Sequence, residues 1–189
     1  MEQTAVKSVV AEARKRMDAA IEHLVHELQG VRTGRASIGI LDPVHVDAYG
    51  TRMPLNQLAT LSVPEPNLIV AQPFDPSLMG PIEKAIRASD LGLNPSNDGK
   101  VIRIPIPSLT DERRKEMSRH VHKMAEEGRN AIRVVRRDAN ERLKKLQKDK
   151  AISEDEERKG LDEIQKVTDQ YIAKVDELQK KKDDDLLKR

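Results

Sequence analysis

The distribution of proline divides this chain into three segments. All ten prolines lie between Pro43 and Pro107, and the segments on either side contain none. Proline is excluded from helix interiors because it lacks a backbone N–H and clashes with the preceding turn. The two flanks can therefore form long uninterrupted helices, whereas the middle cannot. We expect a helix from the first flank to pack with helices from the last, with a separate unit inserted between them.

The composition is typical of long exposed helices that bury aliphatic seams. Of the 189 residues, 35% are charged and only 2% are aromatic. The absence of cysteine excludes disulfides and thiolate metal sites. The N-terminus lacks the apolar run of a signal peptide, and no stretch approaches the roughly 18 to 20 apolar residues of a membrane span. We therefore expect a cytoplasmic protein that does not enter a membrane.

Apolar residues recur at spacings of three and four along both flanks, which predicts three amphipathic helices. The first ends near Gly30 and Gly34, and the second begins near Thr110 and runs to about residue 149. The third begins at Ser153, where Glu156 completes a capping box. The predicted seams comprise Val6, Val10, Ala13, Met17, Ile21, Leu24 and Leu28, then Met117, Val121, Met124, Gly128, Ile132, Val135, Ala139, Leu143 and Leu146, and finally Leu161, Ile164, Thr168, Tyr171, Val175 and Leu178.

The middle segment alternates between short strand patterns and turn signals, which predicts a small α+β domain. Pro105 places the last strand at a sheet edge or makes it end there. We expect an α+β protein of two domains: a three-helix bundle of residues 1–33 and 109–189, and an insert of residues 34–108. A coiled-coil strand that dimerises is the competing interpretation. The elements predicted in the insert are strands at Val44–Tyr49, Leu58–Val63, Leu68–Ala71 and Val101–Ile106, and a helix at Pro76–Ser89.

The formal net charge of +2 conceals a concentration of positive charge in the second helix. Residues 110–150 carry 14 Lys and Arg against 8 Asp and Glu, whereas residues 151–189 carry 9 against 12. A chain that is nearly neutral on average therefore has one basic helix. That helix is where a polyanion would bind.

Within the basic helix, three arginines recur at spacings of four and three and a fourth follows directly. The helical period places them on a face away from the apolar seam, and we expect this face to be exposed. Guanidinium groups grip phosphates bidentately, so the pattern suits a phosphate backbone. The alternative is a solvated charged face that pairs with Asp138 and Glu141. The arginines are Arg129, Arg133, Arg136 and Arg137.

A second candidate site is the junction Val31–Ser37 between the first helix and the insert. There Arg32 and Arg35 lie on either side of Gly34. This arrangement suits a hinge that also contacts phosphate. The alternative is an ordinary helix C-terminus, where basic residues are favoured in any case.

No motif of an enzyme or a cofactor site is present. The chain lacks a P-loop, a dinucleotide fingerprint and a nucleophile elbow. The pairs His23/His26 and His120/His122 lack further ligands, so neither a metal nor a cofactor is predicted. The shortage of aromatic residues argues against base-stacking modules and favours structured RNA, recognised through phosphates and shape. A hydrolase site in the insert would require a pocket with convergent polar groups.

Several long motifs, in this order, make the chain similar to the ribosome recycling factors over essentially its whole length. The basic helix and the junction both contribute motifs, so the resemblance covers the two candidate sites. The motifs are Val31–Ser37, Ala88–Pro95, Leu109–Lys115, Val135–Asn140 and Asp149–Asp155.

The resemblance implies an L-shaped monomer in which a three-helix bundle and a β/α/β domain are joined by hinges, here at Gly34 and Pro107-Ser108. It implies a non-enzymatic factor that binds the post-termination ribosome in the intersubunit space, mainly on large-subunit RNA. With elongation factor G and GTP hydrolysis, such factors separate the subunits and free messenger and transfer RNA. Together with the arginine pattern, it predicts RNA contacts for Arg32, Arg35, Arg129, Arg133, Arg136 and Arg137.

Overall fold

A computed structural model describes residues 2–187, so residues 1, 188 and 189 of the predicted bundle lie outside the described residues. The chain divides into two compact units, which part between Arg32 and Thr33 and between Thr110 and Asp111. In chain order the elements are α1 (Glu2–Gln29), β1 (His45–Ala48), β2 (Thr51–Pro54), β3 (Ala59–Glu65), β4 (Leu68–Pro73), α2 (Met79–Ala88), β5 (Ser96–Asn97), β6 (Ile102–Pro105), α3 (Asp111–Lys148) and α4 (Glu154–Leu187). The predicted α+β class, a long three-helix bundle and a small sheet domain, is confirmed.

The first unit is a bundle in which α1, α3 and α4 each pack against the other two. The 38 residues of α3 give it a length of about 57 Å at about 1.5 Å per residue. The predicted capping box starts α4: the Glu156 backbone N–H donates to Ser153 Oγ (3.2 Å), and the Ser153 N–H donates to Glu156 Oε2 (3.0 Å). Lys150, at φ 58°, lies in the reversal between α3 and α4.

Buried residues form a wider face on each helix than the predicted seams. Most seam residues are buried, but several, such as Val6, Met117 and Leu178, are only half-buried. The seams also missed Val9, Ala125, Val167 and Leu186, all of which are buried. The reason is that each helix of a three-helix bundle faces two neighbours, so that its buried face is broader than a single stripe.

Two glycines lie at tight contacts between the bundle helices. A Cβ on Gly160 would come within 3.1 Å of both Leu143 Cδ1 and Val6 Cγ1, so α4 has no room there for a side chain. A Cβ on Gly128 would lie 3.3 Å from Leu24 Cδ2. The smallest residue is therefore part of the packing at both positions.

The second unit contains a four-stranded antiparallel sheet in the order β3-β4-β6-β5 and the separate hairpin β1-β2. Tyr49 (φ 51°) and Gly50 (φ 75°) form the two-residue turn of the hairpin, as a primed turn requires. One apolar cluster forms the core, with α2 contributing Ile82 and Ile86. Within the sheet, Ile69 and Ile104 lie opposite each other in register, and both are fully buried.

The strands differ from the predicted ones in two respects. The prediction missed β2 and β5, and it ended β3 before Pro64 although the strand continues to Glu65. Because β3 is an edge strand, a residue without an N–H is tolerated there, and the register shifts between Ser62 and Glu65. Pro105 ends β6, as predicted, and pairs only with Leu68 of β4.

Candidate RNA-binding surface

The four predicted arginines of α3 differ in exposure. The Arg133 side chain is 45% exposed, and Arg137 also faces solvent, whereas Arg136 is half-buried. The Arg129 side chain is only 16% exposed. The expectation that the whole stripe faces solvent is therefore wrong for Arg129. Because α3 has two neighbours, one edge of the stripe reaches the contact with α4.

Arg129 is bound on three sides by other side chains. Its Nε and Nη2 donate to Asp176 Oδ1 of α4 at 2.9 and 2.7 Å. Nη2 also donates to Gln179 of α4, and Nη1 donates to Glu126 Oε2 at 3.1 Å. Burial opposes the charge of Arg129, but the hydrogen bonds to Asp176 and Glu126 outweigh it and raise its pKa. This guanidinium joins α3 to α4.

Glu126 is shared between two arginines of the stripe. Its Oε1 accepts from Arg133 Nη1 at 3.2 Å, while its Oε2 accepts from Arg129 Nη1. Both hydrogen bonds lower the pKa of Glu126, and the one from Arg133 has the larger effect. Arg133 Nη1 also donates to Asn130 Oδ1 at 3.0 Å. Sequence reasoning missed Glu126, although its spacing of three from Arg129 is a usable signal.

Arg136 and Arg137 are the unpaired cations of the stripe. Among residues 2–187, no carboxylate lies within ion-pair distance of either guanidinium. Asp138, the partner expected if the stripe were only a solvated charged face, instead accepts from Arg16 Nη1 of α1 at 2.9 Å. The exposed part of α3 therefore retains positive charge that its own acidic neighbours do not neutralise.

The predicted junction residues belong to different compact units. Arg32 is exposed and ends its segment of the first unit, whereas Arg35 is half-buried in the second. Gly34 has φ 73°, and a Cβ there would lie 3.2 Å from the Leu109 backbone nitrogen. Glycine is therefore required at this position by both its conformation and the space around it. Pro107 and Ser108 are exposed and lie outside any helix or strand.

The described part of the chain gives little support for a metal site, a membrane-spanning helix or a hydrolase site. Within residues 2–187 there is no group of three or more side chains that could hold a metal ion, and no described helix has the length and apolar character to cross a bilayer. The insert has a groove of about 670 Å³, lined by β1, β2 and α2, to which His45 and Asp47 contribute. His45 Nδ1 lies 3.0 Å from the carbonyl oxygen of Pro43, and no hydrogen bond joins His45 to Asp47 among these residues.

Two of the three aromatic residues are exposed, which the sequence did not indicate. Tyr49 is 70% exposed and Phe74 is 67% exposed. The Tyr49 hydroxyl donates to Asp75 Oδ2 at 3.0 Å, which ties the β1-β2 turn to the segment after β4. Tyr171, in contrast, is buried in the bundle.

Comparison with known proteins places the chain among translation factors. Residues 24–187 match the family described as ribosome recycling factor. The ribosome-recycling factor of Carboxydothermus hydrogenoformans is 54% identical over 182 residues, which cover 96% of this chain and 98% of that protein. The factor of Desulfatibacillum aliphaticivorans is 55% identical over 179 residues, covering 95% and 97%.

Solved structures agree with the sequence relatives. A solution structure of a ribosome recycling factor has a TM-score of 0.76 and 42% identity, and the match covers 96% of this chain and 97% of that one. The Thermus thermophilus factor, described with Escherichia coli elongation factor G on the Escherichia coli post-termination complex, has a TM-score of 0.65 and 50% identity, with coverage of 97% and 99%. A chain with these motifs, this fold and these full-length relatives belongs to the ribosome recycling factor family.

Proposed function

We propose that this protein recycles ribosomes at the end of translation in the cytoplasm. It binds the post-termination ribosome and, with elongation factor G and GTP, separates the subunits and releases messenger and transfer RNA. The observation that carries the proposal is the match to the Thermus thermophilus factor, which spans nearly the whole of both chains. The GTPase, and not this protein, catalyses the GTP hydrolysis that drives the separation.

The RNA contact is assigned to the basic face of α3. Arg136 and Arg137 follow Arg133 by about one helical turn, on a helix that is anchored by its opposite face. Such an array fits phosphates along large-subunit RNA in the intersubunit space. Arg32 and Arg35 extend the proposed contact to the junction. Arg129 lies at the edge of this surface.

The insert is proposed to reorient during splitting, by backbone rotation at Gly34 and at Pro107-Ser108. Each crossing is a short non-helical segment, and glycine at positive φ marks the first. Hinges of this kind absorb rotation while the elements on either side stay folded. One unit can then hold RNA while the other follows elongation factor G, and the protein acts as a monomer.

The function is tested by following subunit separation from post-termination ribosomes with elongation factor G and GTP. We expect separation to require this protein, elongation factor G and hydrolysable GTP together. Light scattering of the ribosomes reports splitting directly. Subunits that stay joined in the complete mixture would contradict the proposal.

The RNA surface is tested with Arg133→Ala/Arg136→Ala. Each phosphate contact releases condensed cations, so binding to large subunits should weaken steeply with salt, and the double variant should bind less and with a shallower salt dependence. Arg158→Ala/Lys159→Ala is the matched control, because it removes two exposed cations of α4 outside this surface. A double variant with an unchanged circular dichroism spectrum and full binding would contradict the assignment.

A further inference from the structure

The carboxylate of Glu126 is hydrogen-bonded to Arg133, an exposed arginine of the proposed RNA surface. Of the exposed arginines in the stripe, Arg133 is the one that has side-chain partners among the described residues. Both partners, Glu126 and Asn130, lie on α3 itself. The two N–H groups of Arg133 Nη1 are taken by Glu126 and Asn130, so Nη1 cannot donate to a phosphate without giving up one of them. A phosphate bound through Nη1 therefore competes with Glu126, and one bound through Nε and Nη2 meets a guanidinium whose charge Glu126 already offsets.

Glu126 is kept in place for this exchange by Arg129. Its second oxygen is bound to Arg129 Nη1, and Arg129 is in turn held by Asp176 and Gln179 of α4. Because Arg129 has three partners on two helices, its side chain has little conformational freedom. It therefore holds the Glu126 carboxylate at a fixed place beside Arg133. Arg129 then acts from the edge of the stripe without leaving its own partners.

We propose that Glu126 is an internal competitor that occupies Arg133 until an RNA phosphate displaces it, and that Arg129 positions Glu126 and does not itself contact RNA. The inference rests on the proposed RNA surface and adds a specificity-determining residue to it. A single weak anion binds too weakly to offset the loss of the ion pair between Glu126 and Arg133. Several phosphates that contact Arg133, Arg136 and Arg137 together offset this loss, so the surface favours dense RNA backbone over scattered anions.

The test is binding to isolated large ribosomal subunits, titrated with salt. Glu126→Gln replaces the competing carboxylate with an uncharged amide of the same shape, and Arg129 keeps its hydrogen bonds to Asp176 and Gln179. We expect it to tighten binding about two- to five-fold at low salt, the scale of an exposed ion pair. Glu127→Gln is the matched control, since this exposed neighbour makes the same change in net charge and has no ion pair within the described residues. It should tighten binding clearly less.

A double-mutant cycle separates competition for Arg133 from a general effect of charge. In an Arg133→Ala background, Glu126→Gln should give no more gain than Glu127→Gln, because the masked cation is gone. Arg133→Ala alone should reduce the slope of log affinity against log salt by roughly 0.7 to 0.9, one phosphate contact. Arg129→Ala should leave the slope of the folded protein unchanged.

Each outcome decides between the inference and the function on which it rests. If Glu126→Gln equals Glu127→Gln, or its gain persists without Arg133, the competition does not exist. If Arg129→Ala lowers the slope as Arg133→Ala does, Arg129 contacts RNA. In both cases the RNA surface stands as long as Arg133→Ala/Arg136→Ala weakens binding. If that double variant binds normally, the surface itself is misassigned and the inference falls with it.

Discussion

The bundle and the insert differ in what their polar side chains connect. Four contacts of the bundle join helices that are far apart in sequence, beside others that lie within one helix: Arg16 with Asp138, Arg142 with Glu12, Arg129 with Asp176, and His122 with Asp183. In the insert, two aspartates close short turns. Asp75 accepts from the Ser77 backbone and hydroxyl, and Asp98 accepts from the backbone N–H groups of Lys100 and Val101.

The difference follows from what each unit lacks. Helices satisfy their own backbone groups, so the side chains of the bundle are left to fix how one helix lies on another. Short strands leave many backbone groups at turns, and acidic side chains satisfy them locally. We therefore expect the bundle to respond to changes between helices and the insert to changes within its core and turns.

The largest effects should come from truncating one buried side chain in each unit. Leu24→Ala in the bundle and Ile104→Ala in the insert each remove a side chain that is at most 2% exposed, which costs about 2 to 5 kcal/mol. Hydrogen exchange measured by mass spectrometry should quicken in α1, α3 and α4 for the first variant and in the sheet for the second. Equal loss of protection in both units from either variant would show that they unfold as one.

Replacing a glycine by leucine should change the free energy of unfolding in opposite directions in the two units. Gly160→Leu puts a side chain between α1, α3 and α4, where even a Cβ is crowded, and should destabilise by about 1 to 3 kcal/mol or more. Gly80→Leu is the control: it lies in α2 of the insert, where a Cβ would have no neighbouring atom within 4 Å, and helix propensity favours the change. Thermal melts compare the two. Tolerance of leucine at Gly160 would mean that the helices are further apart than the structure shows.

The bundle was predictable in outline because helical periodicity persists over many turns and is set by the apolar face alone. The capping box at Ser153 and Glu156 located one helix start to the residue. The insert was less predictable. The two residues of β5 are too few to show a period, and β2 follows a turn whose positive φ falls on Tyr49, a residue type that does not indicate such a turn.

The candidate site divides in the same way. The spacing of Arg133, Arg136 and Arg137 and their distance from the seam could be predicted from the sequence. The different environment of Arg129 could not, because its main partner, Asp176, comes from α4, and only the packing of the two helices brings them together. Periodicity gives the face of a helix, but the identity of its neighbour depends on tertiary structure.

A smaller effect should distinguish an ion pair between helices from one within a helix. Arg129→Ala removes hydrogen bonds that join α3 to α4 and should cost about 1 to 2 kcal/mol. Arg158→Ala removes only a pair with Asp155, three residues earlier on the same helix, and should cost at most about 0.5 kcal/mol. Urea unfolding at low and high salt measures both. Equal costs would mean that Arg129 contributes as little to stability as an ordinary surface arginine.

The smallest effect concerns pH, and the two units should respond at opposite ends of the scale. In the insert, the backbone N–H groups of Val101 and Lys100, with Arg103, lower the pKa of Asp98 to about 2. Its contribution to stability is therefore present above its unfolded pKa of about 4 and is lost as the pH falls through about 2. In the bundle, burial and the hydrogen bond that Tyr171 donates to Asp18 raise the pKa of Tyr171 to about 12. Its contribution is present below about pH 10 and is lost as the pH rises through about 12.

Asp98→Asn and Tyr171→Phe test these two responses, each against the unchanged protein in thermal melts. The deficit of Asp98→Asn should be full near pH 5 and should shrink towards about pH 2, because the unchanged protein loses its carboxylate there. The deficit of Tyr171→Phe should be constant near neutrality and should shrink only above about pH 10, as the unchanged protein loses its neutral hydroxyl. A deficit of Asp98→Asn that stays constant through the acidic range would mean that the shape of the side chain, and not its charge, closes the turn after β5.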